Sequence, residues 1–145
     1  MESKLLTALQ KLDNLSYQSK IEQFPNMPIK AVVKEKFTDK DTNSLTRCIA
    51  AFMKLKGHYI VRINTQGQMR GNTRTYSTTQ KGTSDLHGIV NGIHLSVELK
   101  MKRDTQSKDQ EETQRQVEKA GGIYLLIRDF EQFYKFYCEF LNLPY

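Results

Sequence analysis

Apolar residues recur at helical spacing in three stretches of the chain and alternate, or run together, in segments between them. Leu5, Leu6, Leu9, Leu12 and Leu15 predict a short amphipathic helix over 3–15. Pro25 and Pro28 then interrupt the chain, and 16–41 is polar and lysine-rich, which predicts a linker or a wrap over the core. Leu45, Ile49, Phe52, Met53 and Leu55 line a helix over about 43–56, with Asn43 able to cap its start and Gly57 placed to end it. Residues 58–64 are β-branched and aromatic, a strand pattern. A helix opens at Ser107 and stops at Gly121-Gly122, and Ile123 to Ile127 reads as a buried strand. Asp129 can cap a last helix with Phe130, Phe133, Tyr134, Tyr137, Phe140 and Leu141 on one stripe, a pattern for core packing or an oligomer contact. From 43 onward the order is helix, strand, hairpin, helix, strand, helix. This predicts a mixed α/β domain over 42–145 with a small central sheet and a parallel, right-handed crossover between 93–100 and 123–127, preceded by an N-terminal helix and linker over 1–41.

The hairpin carries the most specific information. Its loop is Asn91-Gly92, a pair that favours a two-residue type I′ turn. With that loop, Val90 faces Ile93, and pairing outward places Asp85 opposite Glu98. Leu86, Gly88, Val90, Ile93, Leu95, Val97 and Leu99 then share the core face. Asp85, His87, His94, Ser96, Glu98 and Lys100 share the other, with Ile89 the apolar exception. Two acids directly opposed destabilise a sheet unless something offsets them. Lys100 can do so in part as a member of an ion-pair cluster. A divalent cation can do so by turning the opposed acids into a chelate, and two carboxylates with waters and a phosphate oxygen suit Mg²⁺ or Mn²⁺. His87, facing Ser96 on the side of the acids, is either a packed histidine or a rim residue able to touch phosphate.

Composition adjusts this picture only slightly. The chain has 145 residues, a net charge of +6 and a pI near 9.3, which fits one domain and weakly favours a polyanionic partner. Residues 65–82 hold Arg70, Arg74, Lys81 and Tyr76 and no acid, which suits either phosphate contacts or a mobile solvated arm. Lys102 and Arg103 follow the second strand and suit backbone contacts or plain solvation. Cys48 and Cys138 lie far apart inside helical segments, so they predict reduced core residues and neither a disulfide framework nor a zinc knuckle. The start lacks the apolar core of a signal peptide, and no run approaches the roughly 18 apolar residues of a membrane span. A soluble, cytoplasmic protein with no membrane association is the expectation.

Gly82-Thr-Ser-Asp85, a strand, Glu98-Leu-Lys100, then Ser107-x-x-Gln110 and Ala120-Gly-Gly resemble the PD-(D/E)xK nuclease superfamily and, within it, the virus-type replication and repair (VRR-NUC) nuclease family. The resemblance covers about residues 43–128. It implies a restriction-endonuclease-like α/β core with a small mixed sheet flanked by helices. It also implies hydrolysis of phosphodiester bonds in DNA, with Asp85 and Glu98 as ligands to Mg²⁺ or Mn²⁺, the Leu99 backbone carbonyl completing the shell, and Lys100 positioning the attacking water. Gln110 matches a glutamine at the start of the next helix, and Ser107-x-x-Gln110 is equally a capping box. The resemblance further implies a phage or mobile-element setting, a structured or branched DNA substrate, and a homodimer. Two positions depart from the pattern. Ser84 stands where many relatives carry proline, and Thr42-Asn43-Ser44-Leu45 stands where many carry a glutamate early in the first core helix. The second departure supports an alternative: a nuclease-fold, nucleic-acid-binding protein that is weak or inactive as a catalyst.

Overall fold

The computed structural model describes residues 5–63, 69–74 and 79–145. It divides into two compact units: the chain up to His58 together with Ile127–Tyr145, and Tyr59–Leu126.

The first unit is helical. Helix α1 spans Ala8–Gln23, α2 spans Thr42–Leu55 and α4 spans Phe130–Phe140, with a single 3₁₀ turn at Ile29–Ala31. The N-terminal helix differs from expectation at both ends. It begins at Ala8 because Thr7 and Gln10 form a reciprocal capping box, so Leu5 and Leu6 precede it and stay exposed. It runs on through the expected linker to Gln23 and ends at Phe24, whose successor Pro25 disfavours helical backbone before it. Its buried positions are Ala8, Leu12 and Ser16, one turn apart, in place of the expected leucine stripe.

Phe52 of α2 is the hub of this unit. Its ring meets Phe130, Phe133, Tyr134 and Tyr137 of α4 edge-on, at centroid separations of 5.7, 6.3, 5.5 and 4.8 Å. The aromatic stripe is therefore core packing. Polar groups around it are matched to backbone donors. Asp39 Oδ2 accepts from the Phe130 N–H at 2.9 Å, Asp13 Oδ1 from Phe37 at 2.8 Å, and Glu131 Oε2 from Ala8 at 2.9 Å. His58 Nε2 lies 2.8 Å from the Tyr137 hydroxyl. Cys48 and Cys138 are free and buried, and burial pushes the Cys48 thiol up to about 12. The cap of α2 is Asp41, whose carboxylate accepts from the Ser44 N–H at 2.8 Å, so Asn43 sits inside the first turn and does not cap it.

The second unit is built on a four-stranded sheet. Strand β1 spans Tyr59–Arg62, β4 Leu86–Val90, β5 Ile93–Leu99 and β6 Ile123–Ile127, in the order β1-β4-β5-β6. The β1–β4 and β4–β5 pairs are antiparallel and the sheet is mixed, so β6 runs parallel to β5 after the crossover through α3, Lys108–Lys119. Two short strands, β2 (Met69–Arg70) and β3 (Thr73–Arg74), form a separate antiparallel pair. Asn91 and Gly92 both adopt positive φ, 51° and 79°, as the turn requires. The β4–β5 register is the expected one, from Val90 against Ile93 to Leu86 against Val97. Leu86, Val90, Leu95, Val97 and Leu99 are buried, but Ile93 is 37% exposed because it abuts the exposed turn. The fold is α/β, as the pattern predicts. Among the described residues no helix is long and apolar enough to cross a membrane.

Candidate functional site

Asp85 stands one residue before β4, and the register, which ends at Leu86 against Val97, continued by one residue sets it opposite Glu98 near the end of β5. Two hydrogen bonds hold it there. Its backbone carbonyl accepts from the Ile63 N–H at 2.8 Å, and its carboxylate Oδ2 accepts from the Leu99 N–H at 2.9 Å. The second bond reaches across the hairpin, so the carboxylate is held on the strand that carries Glu98.

Glu98 is only 4% exposed, an unusual place for a carboxylate. Burial raises its pKa and the neighbouring Asp85 charge raises it further. Hydrogen bonds from Lys100 and Gln110, with the Lys100 charge, pull it back down. Lys100 Nζ lies 3.1 Å from Glu98 Oε1, and the lysine side chain is itself 13% exposed. The same Oε1 accepts a short hydrogen bond from Gln110 Nε2.

Gln110 resolves a question that its spacing leaves open. Its Oε1 accepts from the Ser107 N–H at 2.9 Å while the Ser107 hydroxyl accepts from the Gln110 N–H at 3.3 Å, a complete capping box. Its Nε2 meanwhile donates to Glu98. Capping and site support are one conformation: the cap orients the amide so that its donor end faces the buried acid.

The structure therefore gathers Asp85, Glu98, Lys100 and Gln110 at one place. Lys102 and Arg103 are exposed and occupy the centre of a turn closed by the Asp104 N–H on the Met101 carbonyl at 2.9 Å, directly after Lys100. Lys81 is exposed and precedes the loop that leads into Asp85. The backbones of Arg70 and Arg74 lie in β2 and β3, but their side chains, and Tyr76, lie outside the described residues. Asn43 belongs to the first unit.

Three groups near the acids are more buried than their sequence pattern reveals. Tyr124 of β6, read as part of an apolar strand, is 8% exposed, and burial, then the Glu98 charge, pushes its hydroxyl up to about 12. A phenol inside an otherwise aliphatic run was the available signal. His87 pairs with Ser96 as the register requires, and its ring centroid lies 5.1 Å from that of His94. Burial, then the His94 charge, lowers the His87 pKa. Among the described residues, His87 Nε2 and the Ser96 hydroxyl are buried without a hydrogen-bond partner. The acid-bearing face thus buries polar groups beyond what the described residues satisfy.

No model of a known protein family matches the chain, and no curated protein matches it.

The donor set narrows the kind of cation that could bind. Among the described residues no group of three or more His, Cys, Asp or Glu side chains is placed to hold a metal. A site here would rest on two carboxylates, backbone oxygen and water. That set is thin for zinc or calcium but fits Mg²⁺ or Mn²⁺, which bind through one or two carboxylates and keep several waters. Burial and then the Asp85 charge raise Glu98, and a cation bound between the two acids would offset that repulsion.

Proposed function

We propose that this chain is a Mg²⁺- or Mn²⁺-dependent nuclease of the VRR-NUC type that hydrolyses phosphodiester bonds in DNA, with structured or branched DNA as substrate. One observation carries the reading: Glu98 is buried opposite Asp85 and is bonded on one oxygen by both Lys100 and Gln110. A fold seeking stability alone gains little from two close acids in a buried strand pair. Asp85 and Glu98 would hold the ion, with the Leu99 carbonyl beside them. When bound, the ion supplies positive charge to the scissile phosphate and acidifies nearby water. Lys100 orients that water and stabilises charge developing on the phosphate oxygens. Gln110 keeps the Glu98 carboxylate from turning away. The net charge of +6 and the exposed Lys81, Lys102 and Arg103 favour approach of a polyanion.

The test is incubation with labelled linear, nicked and branched DNA in Mg²⁺, Mn²⁺ or EDTA. Cleavage that needs the metal and falls by about 100-fold or more in Glu98→Ala and Lys100→Ala is expected. No cleavage of any substrate by the wild type would sink the enzyme reading. The Lys100–Glu98 ion pair favours a second reading, because it offsets the buried acid without any metal. On that reading the fold binds nucleic acid without cutting it, and salt-dependent binding without cleavage would identify it.

A further inference from the structure

The Asp85 arm and the Gln110 arm of the site come from different elements, and one glycine joins them. Gly82 has φ +79° and lies three residues before Asp85. A Cβ on it would fall 2.2 Å from the Asp109 carbonyl oxygen, 2.4 Å from the Asp109 carbonyl carbon and 2.9 Å from the Gln110 backbone nitrogen. All three are main-chain atoms of the first turn of α3, so no side chain can rotate aside. Gln80 of the same loop also reaches this helix. The Thr83 hydroxyl donates to the Gln80 carbonyl at 2.7 Å, and Gln80 Nε2 donates to Gln116 Oε1 at 3.4 Å.

We propose that Gly82 is a positioning residue: its bare backbone sets the distance between the Asp85 loop and the α3 N-terminus, and so sets the Gln110 Nε2–Glu98 Oε1 hydrogen bond. The importance of that bond for catalysis rests on the nuclease reading; the placement itself does not. Any side chain at position 82 must widen the gap between the loop and the first turn of α3, because the atoms in contact are main chain and the φ is positive. Gln110 moves with that turn, since its own backbone nitrogen is one of the atoms in contact. A displacement of about 1 Å there is enough to lower turnover by roughly 10- to 100-fold.

The experiment compares Gly82→Ala with Gly121→Ala. Gly121 sits just beyond the other end of α3 at φ +86°, and a Cβ added there would meet nothing within 4 Å, so its variant carries the backbone strain without the steric push. Three quantities are read: the Gln110 side-chain amide resonance, the melting temperature, and metal-dependent cleavage. In Gly82→Ala the Gln110 resonance should move to the position of an unbonded glutamine amide and kcat should fall with KM little changed. In Gly121→Ala the melting temperature should drop by about 5 °C, with the Gln110 resonance and kcat retained. A Gln110 resonance unmoved in Gly82→Ala, or moved equally in Gly121→Ala, overturns the proposal. If Gly82→Ala does not fold, the wild type decides: nuclear Overhauser contacts from the Gly82 α-protons to the Gln110 amide proton support the placement, and their absence overturns it. If the wild type cleaves no DNA, the nuclease reading fails while the resonance comparison still decides the role of Gly82.

Discussion

The two compact units treat their polar groups in opposite ways. Around Phe52, three carboxylates each accept from a backbone N–H: Asp39 from Phe130, Asp13 from Phe37, Glu131 from Ala8. On the β4–β5 face a buried carboxylate faces a second one, and His87 Nε2 and the Ser96 hydroxyl lack partners among the described residues. The first arrangement is what stability favours, since the carboxylates satisfy main-chain donors and the rings supply apolar contact. The second departs from it at one place, and departures of this kind concentrate where a fold has a task besides folding.

Four measurements break or sharpen that contrast. The largest effect belongs to the first unit. Phe52→Ala should lose about 3–5 kcal/mol in urea unfolding, and a loss under about 1 kcal/mol would remove Phe52 from the centre of the core. Next comes Lys100→Ala, expected to reduce cleavage by roughly 10²–10³-fold in protein that remains folded, with a lower melting temperature because the buried Glu98 loses its ion-pair partner. A fall in activity that merely tracks unfolding would argue against a role in the chemistry.

The third concerns pH. Burial and Asp85 raise the Glu98 pKa, so the folded chain keeps a proton that the unfolded chain has already lost. Stability from that proton is present at low pH and is lost as pH rises through the folded pKa. In EDTA, the melting temperature of Glu98→Gln should therefore gain on that of wild type as pH rises above the ordinary carboxylate range near 4.5. Parallel melting curves over that rise in pH would show that Glu98 is not the strained group. The smallest effect is the cap: Asp41→Ala should lose about 1 kcal/mol, measurable by chemical denaturation, and no loss would return the capping role to another residue.

Much of the site was legible because its determinants are local. The Asn91-Gly92 turn accepts positive φ at both positions, and the alternation on either side permits only one register, since a one-residue slip would expose every core residue. The helix starts were less legible. Asp41 and Asn43 are both good caps two positions apart, and only the backbone at Asp41 selects it. At the N-terminus the leucines suggested a helix from residue 3, yet the Thr7–Gln10 capping box starts it at Ala8.

The sequence by itself determined that Asp85 meets Glu98 with Lys100 on the same face, because strand geometry carries that information between neighbours in the chain. Tertiary structure alone decided three further matters: that Glu98 is buried, that Gln110 caps α3 and bonds Glu98 at once, and that Gly82 touches the main chain of α3. Each depends on how segments distant in sequence pack together. Side-chain pattern specifies which face turns inward, but the separation of two packed backbones follows only from the atoms between them, and at Gly82 there are none.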